Sequence, residues 1–180
     1  HHLMLAHGRA FGCFGARSRR SRRLCPCGDR ACRYESPEDI AAARKEYFTV
    51  HIDEKVGPAW NIAWFSDPVM LGQYPADGLV GYEQYLPDGW QEDLKTIHQR
   101  WTSTGRTSNQ GQWWRRGADG KPEHVRYPAG HPHNALEWPI NEDGLYWGPR
   151  FLYERYHNAD SDYRKWHGCP RRGQSGRQSV

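Results

Sequence analysis

Apolar residues recur at helical spacing after a short segment whose residues favour the start of a helix. Ser36 can cap the helix, and Pro37 follows at the first helical position, where its missing N–H costs nothing. The acids Glu38 and Asp39 then lie over the positive end of the helix dipole. The pattern therefore predicts a helix that ends at about Phe48.

A tryptophan pair marks the next helical stretch. Trp60 and Trp64 lie four residues apart within residues 58–66 and therefore share one face of a helix. The pair Asp67-Pro68 then restarts a short helical turn, which Gly72 and Pro75 close. Two linked helical pieces are predicted here.

Two further stretches have helical start signals and apolar faces, residues 90–97 and 142–156. Strand patterns are almost absent, and the only brief candidates are residues 49–52 and 124–127. Residues 117–122 (GADGKP) are typical of a turn between two short extended pieces. The chain is thus predicted to have helices and hardly any sheet on which to pack them.

The composition is poor in aliphatic residues and rich in aromatic ones. Leu, Ile, Val and Phe supply 26 of the 180 residues, and Trp and Tyr supply 19. Chains with less than roughly 20% of the first four residues have difficulty building a core. Flat aromatic rings suit the binding of sugars or bases as well as packing.

The length is suited to one small domain and is too short for a complete (β/α)8 barrel, which takes roughly 250 residues. The sequence has no apolar run of about 18 residues and no secretory leader pattern. A cytoplasmic protein without membrane contact is therefore expected. Because the chain opens with His1 rather than Met, we expect it to be a fragment.

Three tracts differ from the rest of the chain, residues 11–34, 100–112 and 157–180. The first tract has seven Arg against one Asp, and the first and third contain all five cysteines. All three tracts are net basic, and the remaining residues are net acidic although the whole chain has a formal charge of +4. The tracts therefore interrupt an acidic protein.

The first tract allows two binding hypotheses. Cys25, Cys27 and Cys32 could hold zinc, and the arginines could hold nucleic acid. The spacing C-x-C-x4-C lacks the paired C-x2-C units that define a tetrahedral zinc site, so no metal is expected. The acidity of the other residues argues against nucleic acid, which is likewise not expected as a partner.

Several short segments resemble glycoside hydrolase family 1, the β-glucosidases, and occur in the order of that family. They are residues 1–8 (HHLMLAHG), 35–40 (ESPEDI), 64–69 (WFSDPV), 72–75 (GQYP), 144–148 (GLYWG) and 152–156 (LYERY). The similarity extends over residues 1–10, 35–99 and 113–156. It implies that residues 1–180 form part of one α/β catalytic domain, a fragment of a (β/α)8 TIM barrel that keeps mostly its helices and has largely lost its strands.

The departures from the family coincide with the three basic tracts. Each tract lies where the resemblance implies a barrel strand, and the last strand should carry the nucleophile in a Thr-Glu-Asn-Gly motif. Codons permitted for residues 158–167, read one base later, spell that motif. Codons permitted for residues 24–33, read one base later, and codons permitted for residues 100–109, read from the last base of each codon, likewise spell strands of the family's type. We therefore hypothesise that the reading frame slipped in all three tracts.

The resemblance implies a retaining enzyme that hydrolyses terminal β-D-glucosidic bonds by double displacement with two Glu residues and no cofactor. Both are absent here, because the acid/base belongs to an Asn-Glu-Pro motif expected before His1 and the nucleophile tract is out of frame. We therefore assign no catalytic residue in this chain, and neither Glu137 nor Glu154 is taken as one of the two catalytic glutamates. Glu154 is expected to be a solvated or salt-bridged surface acid. The chain as written is expected to be poorly stable and inactive.

Trp138 matches a position at which family members place a tryptophan against the aglycone side of the sugar. An indole face stacks on the apolar C–H face of a pyranose, so Trp138 is the candidate substrate-binding residue for a β-glucoside or oligosaccharide. The alternative is a core tryptophan that packs ahead of the following helix. His1, His2 and His7 suggest no metal site, because no carboxylate partner accompanies them in the sequence.

Two rival functions remain. The aromatic content favours a non-catalytic carbohydrate-binding protein, which would require the strand alternation that the sequence lacks. The Cys- and Arg-containing tract favours a basic nucleic-acid-binding protein.

Overall fold

The computed structural model describes residues 1–15, 23–24, 30–32, 36–52, 61–98, 103–104, 112–135 and 137–157. The helices in these ranges are α1 (His2–Gly15), α2 (Pro37–Phe48), α3 (Ile62–Met70), α4 (Ala76–Tyr82), a 3-10 turn (Glu83–Tyr85), α5 (Trp90–Ile97) and α6 (Asp143–Tyr156). The strands are β1 (Arg23–Leu24), β2 (Arg30–Cys32), β3 (Ser103–Thr104), β4 (Gln112–Arg116) and β5 (Pro122–Val125). Within the described ranges, every helix is too short or too polar to cross a membrane.

The predicted start of α2 is confirmed. The Ser36 hydroxyl oxygen accepts a hydrogen bond from the Asp39 N–H at 3.1 Å, and Pro37 is the first helical residue. The Asp39 carboxylate accepts hydrogen bonds from the Ser36 hydroxyl and from the backbone N–H of Arg116 in β4. These two hydrogen bonds lower the pKa of Asp39 and tie the start of α2 to the sheet.

One continuous helix replaces the two pieces that were predicted around Asp67-Pro68. Helix α3 runs from Ile62 through Pro68 to Met70, so the predicted break is wrong. Pro68 removes only the hydrogen bond to the carbonyl of Trp64, and it lies within the last turn, where the helix is about to end. The predicted start at residues 58–60 lies outside the described residues.

Helix α4 was not predicted. Gly72 adopts a φ of 72° and ends the preceding segment, as expected from its freedom to occupy the left-handed region. Pro75, interpreted as a second stop signal, instead precedes the first residue of α4. The predicted helices at 90–97 and 142–156 are confirmed as α5 and α6.

The segment 49–52 belongs to no strand, so this prediction is wrong. The N–H of Val50 donates to the carboxylate of Asp77 at 3.0 Å. Asn61 accepts from the N–H of His51 and donates to its carbonyl, both at 2.9 Å. Two side chains therefore supply the hydrogen bonds that a neighbouring strand would otherwise supply.

The described strands form two small sheets. Strand β1 pairs in parallel with β3, and the second sheet has the order β2-β4-β5, with β2 and β4 parallel and β4 and β5 antiparallel. The turn predicted at 117–122 connects β4 and β5 and is confirmed, whereas the predicted strand 124–127 overlaps β5 only at 124–125. Strands β1, β2 and β3 lie within the first two basic tracts and are only two or three residues long. Strand β4 begins at the last residue of the second tract.

The core combines apolar side chains from helices and sheet. Its members include Met4, Tyr47, Phe48, Val69, Ile97, Trp113, Phe151 and Leu152. Phe151 of α6 packs edge-on against Tyr47 of α2 at 5.7 Å between ring centroids. Aromatic rings from several helices thus replace the scarce aliphatic residues.

A buried carboxylate joins α3 to α6. Asp67, whose residue is 2% exposed, accepts hydrogen bonds from Nε and Nη2 of Arg155 at 3.0 and 2.5 Å and from the hydroxyl of Tyr156 at 2.7 Å. The Arg155 guanidinium also lies over the ring of Phe48 at 4.6 Å. Burial, followed by the negative charge of Asp67, raises the pKa of Tyr156 and keeps this hydroxyl a donor. We call Asp67, Arg155 and Tyr156 the Asp67 cluster.

Candidate functional site

Trp138 lies in the loop that connects β5 to α6 and is 44% exposed. The loop turns back on itself, because His133 and Pro139 form an antiparallel bridge and the N–H of Ile140 donates to the carbonyl of Pro132 at 2.9 Å. Trp138 therefore stands near the tip of a closed loop. Its exposure contradicts the alternative of a core tryptophan.

Asn134 closes the tip of this loop. Its backbone N–H donates to the carbonyl of Trp138 at 2.9 Å, and its side-chain Oδ1 accepts from the N–H of Trp138 at 3.0 Å. Its carbonyl accepts from the N–H of Glu137, also at 2.9 Å. Both backbone polar groups of Trp138 are thus bound by one residue.

A row of rings connects the loop to the core. The buried Trp113 of β4 lies 4.3 Å from Tyr127, which stacks on His131 at 4.1 Å between ring centroids. The His131 ring also forms a 2.7 Å hydrogen bond with the carbonyl of Ile140. The base of the loop is therefore anchored to the sheet.

Polar side chains connect the same loop to α6. The indole N–H of Trp113 donates to the carboxylate of Asp143 at 2.9 Å, and the amide of Asn141 donates to the hydroxyl of Tyr127 at 2.8 Å. Asn141 is 2% exposed, and its Oδ1 accepts from the N–H of Gly144 in the first turn of α6. These contacts place the loop relative to the helix that follows it.

The two glutamates discussed in the sequence differ in surroundings. Glu154 forms ion pairs with Arg44 of α2 and with Arg150 of α6, which confirms its interpretation as a salt-bridged acid near the surface. Glu137 is exposed and adopts a φ of 57°, a left-handed conformation that costs a residue with a Cβ about 1–2 kcal/mol. This backbone conformation lies directly before Trp138.

The histidines at the start of the chain have structural contacts. The His1 ring forms hydrogen bonds of 3.0 Å with the hydroxyl of Tyr74 and 2.8 Å with the carboxylate of Asp93. The sequence did not reveal this carboxylate partner, because it comes from α5. Among the described residues, no three His, Cys, Asp or Glu side chains form a group that could hold a metal ion. The zinc hypothesis for Cys25 and Cys27 lies outside the described residues, as does the side chain of Cys32.

A cavity of about 750 Å³ opens beside the Asp67 cluster. Its walls include Arg44, Lys45 and Phe48 of α2, and Tyr74. Burial, followed by the nearby charge of Asp93, raises the pKa of Tyr74. The charged groups of Asp67, Arg155 and Arg44 on this wall are already paired with protein groups, so the exposed Trp138 loop is the better candidate site.

No family model matches the chain. Solved structures do: the Family 1 β-glucosidase from Thermotoga maritima matches at 24% identity with a TM-score of 0.58 over 87% of this chain and 33% of that one. The fold is that of part of a family 1 β-glucosidase. The same enzyme in complex with deoxynojirimycin matches at 24% identity with a TM-score of 0.59 over 87% of this chain and 34% of that one. In complex with galacto-hydroximolactam it matches at 21% identity with the same TM-score over 88% and 33%.

The predicted fold class, a helix-rich fragment of a TIM barrel, is confirmed by this match. The chain spans about a third of the length of these β-glucosidases. The family-like segments WFSDPV and LYERY meet in the Asp67 cluster, where their polar residues connect two helices. Asn134 was not predicted, because its partners are backbone groups, although asparagine in a short polar segment is a known turn signal.

Proposed function

We propose that residues 1–180 are one partial catalytic domain of a cytoplasmic retaining β-glucosidase and that Trp138 contacts its sugar substrate, a β-glucoside or oligosaccharide. The observation that carries the proposal is the fold match over 87% of the chain. The order of the family-like segments and the exposure of Trp138 support it further.

The surroundings of Trp138 suit a sugar contact. A tryptophan that leaves 44% of its surface in solvent keeps an apolar face on which the C–H groups of a pyranose can stack. The hydrogen bonds of Asn134 to Trp138 and of His131 to Ile140 restrain the backbone at the tip and at the base of the loop. A preorganised loop loses less conformational entropy when it binds a ligand.

The proposal includes the absence of hydrolysis by this chain. Double displacement with retention requires two carboxyl groups about 5–5.5 Å apart, one as acid/base and one as nucleophile. The segments that would carry these two glutamates in a family member are missing from the sequence as written. Glu154 is held by two arginines, which is consistent with a structural role.

The experiment is a titration of the full chain with methyl β-D-glucoside, followed by heat or NMR shifts. Trp138→Ala should weaken binding about tenfold, the loss typical when a central aromatic contact is truncated. Tyr85→Ala, which removes a more exposed aromatic ring on another element, should leave the affinity unchanged. Equal affinities for the wild-type and Trp138→Ala chains, or no binding by the wild type, would contradict the assigned role of Trp138.

A hydrolysis assay tests the other half of the proposal. The wild-type chain should release no aglycone from an aryl β-glucoside above the rate in buffer. Hydrolysis that stays proportional to the amount of purified chain would contradict this half of the proposal.

A further inference from the structure

At the tip of the Trp138 loop, Asn134 binds backbone groups of both Glu137 and Trp138. The Asn134 N–H and Oδ1 bind the carbonyl and the N–H of Trp138, and the Asn134 carbonyl binds the N–H of Glu137. Two of these three hydrogen bonds join backbone to backbone and require no particular side chain. The third requires an acceptor on a short side chain at position 134.

The residue before Trp138 has a strained backbone conformation. Glu137 has a φ of 57°, although a glycine or asparagine is usual in this region. Strain of this kind persists only when surrounding contacts determine the conformation, and it is found at sites that present a side chain to a ligand. The contacts that hold it here are the hydrogen bonds of Asn134 to Glu137 and Trp138.

We propose that Asn134 is a positioning residue, whose side chain fixes the direction of the Trp138 indole at the loop tip. The inference rests on the proposed sugar contact of Trp138 and adds a residue that acts on it without touching the sugar. The Oδ1 of Asn134 fixes the plane of the peptide that carries Trp138, and this plane sets the direction of the Cα–Cβ bond. Without this acceptor, the Trp138 N–H turns to solvent and the indole samples several directions.

The hydrogen bond contributes little to the stability of the fold. Trp138 is 44% exposed, and both Ala135 and Glu137 at the loop tip are exposed. The base of the loop has its own contacts, the Pro132–Ile140 hydrogen bond and the His131 ring. Loss of the side-chain acceptor is therefore expected to change the tip and to leave the core intact.

The test is a ¹⁵N NMR spectrum of the tryptophan indoles in the full chain. The Trp138 signal is identified by its disappearance in Trp138→Phe. In Asn134→Ala, the Trp138 indole signal should move toward the chemical shift of a free indole in water. The signal of the buried Trp113 should keep its chemical shift. Asn134→Asp keeps an acceptor of the same length and should restore the wild-type signal, and Lys121→Ala in the β4–β5 turn is the exposed control.

Two outcomes would overturn the proposal. An unchanged Trp138 signal in Asn134→Ala would show that the side chain does not set the indole direction. A loss shared by Asn134→Ala and Asn134→Asp, together with a shift of Trp113, would show that Asn134 has a general folding role.

A sugar titration separates this inference from the proposed function. Asn134→Ala should bind methyl β-D-glucoside about fivefold more weakly than the wild type, the factor corresponding to one net hydrogen bond, and Asn134→Asp should recover the affinity. Absence of sugar binding by the wild type would refute the proposed function, whereas the NMR spectra would still decide whether Asn134 orders Trp138. Wild-type affinity in Asn134→Ala would overturn the positioning role.

Discussion

The Asp67 cluster and the Trp138 loop both depend on a side-chain oxygen that accepts hydrogen bonds, but one oxygen lies in the core and the other at a loop tip. Both hold their geometry by accepting hydrogen bonds at an oxygen of an Asp or Asn side chain. The Asp67 cluster buries its acceptor between two helices, where it pairs with a cation and a hydroxyl. The Trp138 loop has its acceptor at the surface, where it holds a peptide group beside an exposed ring.

The depth of each acceptor determines the cost of removing its partners. A buried carboxylate that loses its partners costs several kcal/mol, because the charge remains out of water. A hydrogen bond at an exposed loop tip can exchange with water at little cost. The Asp67 cluster should therefore govern stability, and the Trp138 loop should govern binding.

The largest effect is expected at Asp67. Asp67→Ala leaves the Arg155 guanidinium and the Tyr156 hydroxyl without their shared acceptor, and we expect a loss of about 3–5 kcal/mol in the free energy of unfolding. Such a loss is a large fraction of the stability of a small domain, so the urea midpoint of Asp67→Ala should fall steeply. Urea titration followed by circular dichroism measures it, with Trp138→Ala as the matched variant in the loop. Equal midpoints for the two variants would remove the distinction between the regions.

A second substitution tests whether the contact between α1 and α5 also contributes to the stability of the fold. A Cβ on Gly8 of α1 would overlap the backbone carbonyl of Thr96 in α5. Gly8→Ala is therefore expected to destabilise the chain by about 1–3 kcal/mol, because a backbone atom cannot move aside. Leu3→Ala, on an exposed position of the same helix, should change the midpoint little. A stabilised Gly8→Ala chain would show that α1 and α5 are not in close contact.

The pH dependence provides another comparison. Burial and Asp67 raise the pKa of Tyr156 in the folded chain above its ordinary value. A tyrosine with a raised folded pKa stabilises the fold fully below about pH 10 and loses that contribution as the pH rises above it, since the unfolded chain ionises first. The free energy of unfolding should fall above this pH, less steeply in Tyr156→Phe. Identical slopes in both chains would contradict the buried position of this hydroxyl.

The smallest effect is expected at the loop tip. Glu137→Gly relieves the left-handed strain and should raise the free energy of unfolding by about 0.5–1 kcal/mol, reduced by the greater freedom of glycine in the unfolded chain. Differential scanning calorimetry measures the shift, and Glu142→Gly just before α6 is the control without a positive φ. A destabilised Glu137→Gly chain would show that the conformation at position 137 is not strained.

Local signals predicted those elements whose ends are determined by neighbouring residues. The cap of α2 and the starts of α5 and α6 are of this kind. The prediction of a helix break at Pro68 was wrong, because a proline is tolerated in the last turn of α3. The prediction of a strand at 49–52 was wrong, because Asp77 and Asn61 supply the hydrogen bonds of a strand partner. Such contacts come from distant parts of the chain, so no local pattern contains them.

The candidate site was predictable only in part. Trp138 was found from its resemblance to a family position, and its exposure depends on a loop closure that the sequence did not show. The residues of the Asp67 cluster lie in two separate family-like segments, and the sequence did not show that these segments are in contact. A motif gives the residue types, whereas packing decides whether they bind each other or a ligand.

The nucleotide sequence of the gene across the codons for residues 11–34, 100–112 and 157–180 would decide whether the reading frame slipped in these tracts. We predict that single-base corrections restore strand sequences in all three tracts, with Thr-Glu-Asn-Gly after Tyr156 and Asn-Glu-Pro upstream of His1. A gene that encodes the three tracts in one uninterrupted frame would contradict the claim that this chain is a damaged portion of a retaining β-glucosidase.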